Sequence, residues 1–214
     1  MHGVRGSKER RMQRIQAIKE MIPTGSREEK HTDILKAAIR VFSEHGFDGA
    51  KMEYIAKEAG IGKGTVYEYF ESKEQLFEEI LKFSVEEFRL GLKESMDQGE
   101  TIESKILNCS RYNAEFLSNH MDIVQIALKV KMLSKEIRVY HLAAQAAIHE
   151  QYTEMVKVAK AKGEFRPDLD EELATYCIIG TLDQFCKQRV FCDPRPLGEI
   201  DHQAIVNVML KGLR

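Results

Sequence analysis

The sequence predicts an all-α fold, and three observations support this. Apolar residues recur at helical spacing along most of the 214-residue chain. Only four prolines interrupt the pattern, and the helix-favouring residues Ala, Leu, Ile, Lys and Glu are frequent. No stretch alternates apolar and polar residues for long enough to predict a strand. We therefore expect a helical protein without a β-sheet.

The composition is that of a soluble globular protein, with 43% hydrophobic and 31% charged residues. Its apolar runs are too short to cross a bilayer, and the basic N-terminus has no apolar signal core, so we expect a cytoplasmic protein. The four cysteines form no CxxC pair and have no histidine at metal-ligand spacing. We therefore expect reduced thiols, no membrane association and no metal site.

The net charge of −2 is unevenly distributed. Residues 1–26 hold six basic and two acidic side chains, a net of +4. Residues 27–75 hold eight basic and ten acidic side chains, a net of −2. Attraction to a polyanion must therefore come from the local placement of cations. The basic N-terminal segment, which has apolar residues at helical spacing over 9–22, fits either a docked helix or a loose arm.

The first half of the chain contains four predicted helical segments. Residues 27–45 carry one apolar face, and Gly46 is expected to end that helix in a left-handed conformation. Two short segments follow at 52–59 and 63–70, with Gly60 at positive φ between them. Ser72 and Gln75 form a capping-box signature that opens a long helix.

The second half continues the helical pattern. We predict helices at about 101–118, 121–134, 136–162, 170–191 and 199–212. Turns are expected at Gly163 and at residues 193–196, where two prolines occur.

Residues 46–76 fit a helix-turn-helix, in which two short helices are joined by a tight turn. Val66 and Phe70 are spaced to anchor the second helix, and its other side chains are left to face outwards. The N-terminal end of such a helix enters the major groove of DNA. Lys63 and Thr65 suit base contacts, whereas Tyr67, Tyr69 and Lys73 suit phosphate contacts.

The stretch GFDGAKMEYIAKEAGIGKGTVYEYFESKEQLFEEIL at 46–81 resembles the DNA-binding signature of the tetracycline-repressor family (TetR/AcrR). Residues 163–185 resemble the family's usual entry into its dimerising helices. The resemblance implies a homodimer that binds a palindromic operator, with a helical C-terminal domain that binds a small inducer. Carried over by position, Lys63, Gly64, Thr65 and Tyr67 contact bases or backbone, and Tyr67, Tyr69 and Lys73 contact phosphates.

The chain departs from the family pattern where the first motif helix begins. Thr or Ser is usual there, whereas this chain has Ala50 and Lys51. Lys51 can supply the phosphate contact but cannot cap the helix. Gly62 stands where Ser is common, and Glu68 is expected to accept from a cytosine amino group or to face solvent.

The C-terminal part contains no nucleophile motif, phosphate-binding loop or paired-carboxylate signature, so we expect neither an enzyme nor a cofactor. Aromatic, Met and polar residues on its apolar helices suit a largely apolar effector pocket, although core packing explains each of them equally simply. The candidate pocket residues are Tyr112, Phe116, His120, Met121, Gln125, Met132 and Tyr152.

The segments at 170–191 and 199–212 carry a strongly apolar face that includes the small residue Gly180. Such a face fits a four-helix interface between two chains, or the core of a monomer.

The sequence therefore predicts a basic extension (1–26), a helix-turn-helix DNA-binding domain (27–75) and a helical ligand-binding and dimerisation domain (76–214). The hypothesis is a homodimeric transcriptional repressor that a small apolar or amphipathic effector releases from its operator. Two alternatives stay open: a helical small-molecule sensor or carrier that no longer binds DNA, and a protein-binding helical adaptor.

Overall fold

The structure, a computed structural model, describes residues 26–121, 123–124, 126 and 134–213. Within these ranges the regular structure is helical and no strand occurs, which confirms the predicted fold class. The predictions for the basic extension, for most of the helix at 121–134, and for Gln125 and Met132 lie outside the described residues.

The α-helices are numbered in chain order. They are α1 (Ser26–Gly49), α2 (Met52–Ala59), α3 (Lys63–Tyr69), α4 (Lys73–Asp97), α5 (Ile102–Asn119), α6 (Lys135–Ala161), α7 (Glu171–Lys187) and α8 (His202–Leu213). A π-helical segment, Gln188–Cys192, continues α7, and a 3-10 turn, Leu197–Glu199, precedes α8. The predicted single helix at 170–191 thus changes type after Lys187. The Asp193 N–H donates to the Gln188 carbonyl at 2.8 Å, which closes the wider turn.

Two glycines shape the first three helices. Gly46 has the expected positive φ of 68°, but its ψ of 176° is extended rather than left-handed helical. Helical bonding resumes after it, because the Ala50 N–H donates to the Gly46 carbonyl, so α1 is kinked there rather than ended. Gly60 is left-handed, with φ 69° and ψ 27°, and it ends α2 as predicted.

Two compact units are present. The first comprises residues up to Val85 together with 119–140. Its core consists of apolar side chains from α1 to the first half of α4, together with two residues from the second segment. The largest buried members are Ile34, Leu35, Ile39, Phe42, Ile55, Leu76, Phe77 and Ile80.

The second unit comprises Glu86–Ser118 and His141–Arg214. Its core includes Leu92, Ile102, Ile106, Val156, Ile178 and Val206. It also buries polar groups: the Ser110 hydroxyl lies 2.8 Å from His202 Nδ1. The four cysteine thiols are free, two of them buried, and burial raises the pKa of the Cys109 thiol to about 12.

α4 runs as one continuous helix from the first unit into the second. Reciprocal bonds fix its start, because the Gln75 N–H donates to the Ser72 hydroxyl while the Gln75 side-chain oxygen accepts from the Glu71 N–H. The predicted capping box is therefore present, with its second bond one residue earlier than in the standard pattern.

Candidate nucleic-acid interface

The turn between α2 and α3 holds the two helices as a helix-turn-helix. Ile55 and Val66 are fully buried, one from each helix, and Phe70 is almost so. The Ile61 N–H donates to the Ala56 carbonyl at 3.1 Å, which ties the turn to α2. These contacts present the remaining side chains of α3 to solvent.

The exposed side of α3 carries most of the predicted DNA contacts. Lys63, Gly64, Tyr67 and Glu68 are exposed, and Thr65 is partly buried. The Tyr67 side chain is 46% exposed despite its aromatic ring. Nothing lies within 4 Å of where a side chain would start at Gly64, so a backbone or base can approach closely there.

Both motif helices begin without a side-chain cap. Lys51 and Gly62 are the N-cap residues of α2 and α3, both extended, and neither side chain bonds to the first turn. The expectation that Lys51 leaves α2 uncapped is thus met. The amide groups of the first turn remain open to an acceptor, and the helix dipole favours an anion there.

Lys63 has an intramolecular partner that the sequence pattern does not predict. Its ammonium donates to a carboxylate oxygen of Glu53, on the first turn of α2. The hydrogen bond and charge of the partner raise the pKa of Lys63 and lower the pKa of Glu53. Both side chains are more than half exposed, so DNA competes with a weak and reversible ion pair for this lysine.

Lys51 is exposed at the start of α2, and its ammonium lies 5.7 Å from the ring centre of Tyr54. Tyr54 is 40% exposed and was not among the predicted contacts. Its position one turn into α2 gives the surface a further hydroxyl.

Tyr69 is partly buried and packs against the core of the first unit. Its ring lies near the Arg27 guanidinium, at 5.9 Å, and near the His31 ring, at 6.3 Å. His31 also lies 5.0 Å from the Phe70 ring, and burial lowers the pKa of this imidazole. Tyr69 therefore joins α3 to α1, and its predicted phosphate contact stays a prediction.

Lys73 donates to backbone carbonyls at the end of α1. Its ammonium lies 2.9 Å from the Phe47 carbonyl oxygen and 3.4 Å from those of Asp48 and Ala50. It also lies 4.6 Å from the centre of the Phe47 ring. These contacts fasten the start of α4 to the segment that precedes α2, and the predicted phosphate contact of Lys73 stays a prediction.

The predicted effector-pocket residues are only partly brought together. Tyr112 and Phe116 both pack on Phe88, with ring centres 5.8 and 4.9 Å away. Tyr152 is buried in the core of the second unit beside Cys109, which raises its pKa along with burial itself. His120 is buried, and Met121 is partly exposed.

Two surface cavities are present among the described residues of the second unit, and neither is lined by these predicted residues. One, of about 500 Å³, lies among the second half of α4, the start of α5 and the second half of α6. The other, of about 490 Å³, lies beside the 3-10 turn and the start of α8. Sequence spacing does not reveal the first cavity, because its walls come from segments about 60 residues apart.

The exposed side of α7 and α8 is apolar. Leu173, Tyr176 and Val208 are each more than half exposed, and Gly180 has open space around it. Such exposure of large apolar side chains marks a contact surface more often than free solvent.

Metal-ligating clusters and membrane-spanning helices are both absent from the described residues. No group of three or more His, Cys, Asp or Glu side chains there is arranged to hold a metal ion. None of the helices in the described ranges combines the length and the apolar character that a bilayer-spanning segment needs.

An all-helical chain with an outward-facing helix-turn-helix belongs to the class of helix-turn-helix transcriptional regulators. Residues 34–80 match the family model of bacterial regulatory proteins, tetR family. The chain is a TetR-family regulator, which confirms the resemblance seen in the sequence.

Known relatives span most of their own length with this chain. The fatty acid metabolism regulator protein of Bacillus subtilis is 26% identical over 72% of this chain and 80% of its own. The fatty acid degradation regulator FadR of Bacillus halodurans is 26% identical, with a TM-score of 0.66 over 90% of this chain and 98% of its own. FadR of Bacillus subtilis, solved with stearoyl-CoA, shares the fold at 24% identity, with a TM-score of 0.63 over 84% and 95%.

Proposed function

We propose that this regulator binds a palindromic operator as a homodimer and represses transcription until a small apolar or amphipathic effector releases it. The observation that carries the proposal is the exposed α3 surface, held by Val66 and Phe70 and bearing Lys63, Gly64, Thr65 and Tyr67. In this proposal, α3 lies in the major groove and its N-terminal residues contact base edges.

Phosphate binding supports the register of α3 on DNA. The uncapped first turn of α2 supplies amide groups, and Lys51 supplies a positive charge beside them. Tyr67 supplies a hydroxyl from the exposed side of α3. Tyr69 and Lys73 are included in the proposed surface as residues that hold its helices and border the backbone.

The homodimer is proposed to form through α7 and α8. Their exposed apolar side, with Leu173, Tyr176 and Val208, fits a second copy of itself in a four-helix interface. Two subunits joined in this way would set two α3 helices into successive major grooves, roughly 34–36 Å apart.

The effector is proposed to act through the second unit. The solved complex of a related fold with stearoyl-CoA supports an amphipathic ligand. Because α4 runs without a break from the motif into the second unit, a change in the ligand-binding part can reach α3 through one helix. Coupling of about 1–3 kcal/mol is enough to change operator occupancy.

Fluorescence anisotropy with DNA from upstream of the protein's own gene tests DNA binding. Tyr67→Ala should weaken binding by about tenfold, whereas Tyr67→Phe, which keeps the ring, should show how much of the loss belongs to the hydroxyl. Absence of binding by the wild-type chain at low salt would instead favour a sensor or carrier without DNA, an alternative that the Glu53–Lys63 ion pair supports.

Analytical ultracentrifugation tests the dimer. Val208→Glu should shift the chain to a monomer because it places a charge in the apolar interface. Val139→Glu, at a similarly exposed valine on α6, is the matched control and should leave the dimer intact. A wild-type monomer at micromolar concentration would contradict the proposed interface.

A further inference from the structure

We infer that the cavity among α4, α5 and α6 is a binding site for a small amphipathic amine, with an ammonium group at one end and a short apolar chain at the other. The inference rests on the proposed function only in naming this ligand as the effector. Binding itself is a property of the second unit, and it can be measured without DNA.

The cavity has an apolar floor. Met96, Ile102, Met155 and Ala159 line it and are buried, and Val158 contributes apolar surface at its edge. At about 500 Å³ its volume lies within the range of sites that hold small ligands. An alkyl chain of several carbons would cover this floor and remove its remaining surface from water.

Most cationic groups around the cavity already have partners. The Arg89 guanidinium makes two hydrogen bonds to the Glu86 carboxylate, and the Lys93 ammonium bonds to Asp97 at 2.8 Å. The Lys105 ammonium donates to the Met96 carbonyl oxygen at 2.7 Å. These cations hold the walls together, so an anionic ligand would have to break existing bonds to use them.

The acceptor groups along α6 are in the opposite situation. Glu150 and Glu154 line the cavity, and no hydrogen bond or ion pair forms between them and any described residue. Gln151, also in the wall, has a buried side-chain oxygen without a hydrogen-bond partner among the described residues. Positions 150, 151 and 154 share one side of the helix, so the three acceptors point towards the same region.

A buried acceptor without a partner is costly, and a ligand that donates to it removes that cost. An ammonium group has up to three N–H donors and one positive charge, so it satisfies the Gln151 oxygen and neutralises one carboxylate at the same time. Lys162 is the one described cation of the lining for which no partner is found, and it balances the second carboxylate. The set of uncompensated groups therefore favours a donor with one positive charge.

Isothermal titration calorimetry with the full-length chain and four probes of equal chain length tests the inference: octylamine, octan-1-ol, octanoate and octanoyl-CoA. We expect octylamine to bind most tightly, and Glu150→Gln with Glu154→Gln to weaken it by at least about tenfold. Gln151→Leu should weaken octylamine more than octan-1-ol, and Glu136→Gln, on the same helix but away from the cavity, should change neither. Thermal unfolding of each variant checks that it is folded.

Each other outcome overturns the assignment. Binding of none of the probes removes the site, and tighter binding of octanoate or octanoyl-CoA removes the ammonium preference while leaving the proposed function intact. Octylamine binding that the double variant does not weaken removes the role of α6. Octylamine is then added to the DNA complex: release supports the effector role, and binding to the free chain without release overturns that role alone.

Discussion

Replacing Lys73 with methionine should destabilise the first unit and leave the salt dependence of DNA binding unchanged. Methionine keeps most of the apolar stem over the Phe47 ring but removes the ammonium that donates to three carbonyl oxygens. Only the bond to the Phe47 carbonyl, at 2.9 Å, is short, and the other two are 3.4 Å.

The magnitude follows from these distances. One charged hydrogen bond contributes about 1.5–3 kcal/mol and an exposed cation–π contact about 0.5–1 kcal/mol, and partial exposure reduces both. We therefore expect a decrease of about 2 kcal/mol in the free energy of unfolding, measured by urea denaturation followed by circular dichroism. Lys157→Met, at an exposed lysine on α6, should change it by less than about 0.5 kcal/mol.

The DNA measurement separates this role from a phosphate contact. Removal of one lysine–phosphate ion pair lowers the slope of log affinity against log salt by about 0.9. Since the three donors of the Lys73 ammonium already meet carbonyl oxygens, we expect the slope to be the same in both proteins. A lower slope with unchanged stability would refute this reasoning and assign Lys73 to the DNA backbone.

Three further predictions concern the same surface and the buried histidines. Glu53→Gln should tighten DNA binding and steepen its salt dependence because it frees Lys63, whereas Glu58→Gln, which removes an equal charge beside Arg40, should not match it in anisotropy titrations. Gly60→Ala should lower the unfolding free energy by about 1–2 kcal/mol because φ is 69° there, and Gly62→Ala, at φ −68°, should cost less; equal decreases would contradict the backbone argument. Burial lowers the pKa of His202 and of His31, so below about pH 6.5 the unfolded chain binds more protons and stability should fall as pH falls. His202→Asn should flatten that fall in urea titrations from about pH 7.5 to about pH 5, and an unchanged slope would exclude His202 as a source.

Local patterns predicted the motif well. The bounds of α2, the positive φ of Gly60 and the capping pair Ser72–Gln75 all depend on residues within a few positions of each other. Steric limits and short-range hydrogen bonds decide such features, so the sequence carries them directly.

Long-range partners were not predictable in the same way. Lys63 pairs with Glu53 across the turn, and Lys73 reaches carbonyl oxygens about 25 residues earlier. Both lysines look like free surface cations in a linear reading, and only the packing of α1, α2 and α4 gives them partners. The cavity acceptors on α6 were missed for the same reason, since their lack of partners depends on what the facing helices supply.

The first unit is built from two separate stretches of chain, and this limits how the protein can be taken apart. Ile123 and Ile126 belong to the same buried cluster as Ile34 and Phe77, although nearly 40 residues that include part of the second unit intervene. A fragment that stops at Val85 would cut α4 in its middle and leave that cluster incomplete. Exchanging DNA specificity between this regulator and a relative is therefore better done by replacing surface residues of α2 and α3 than by fusing whole N-terminal fragments.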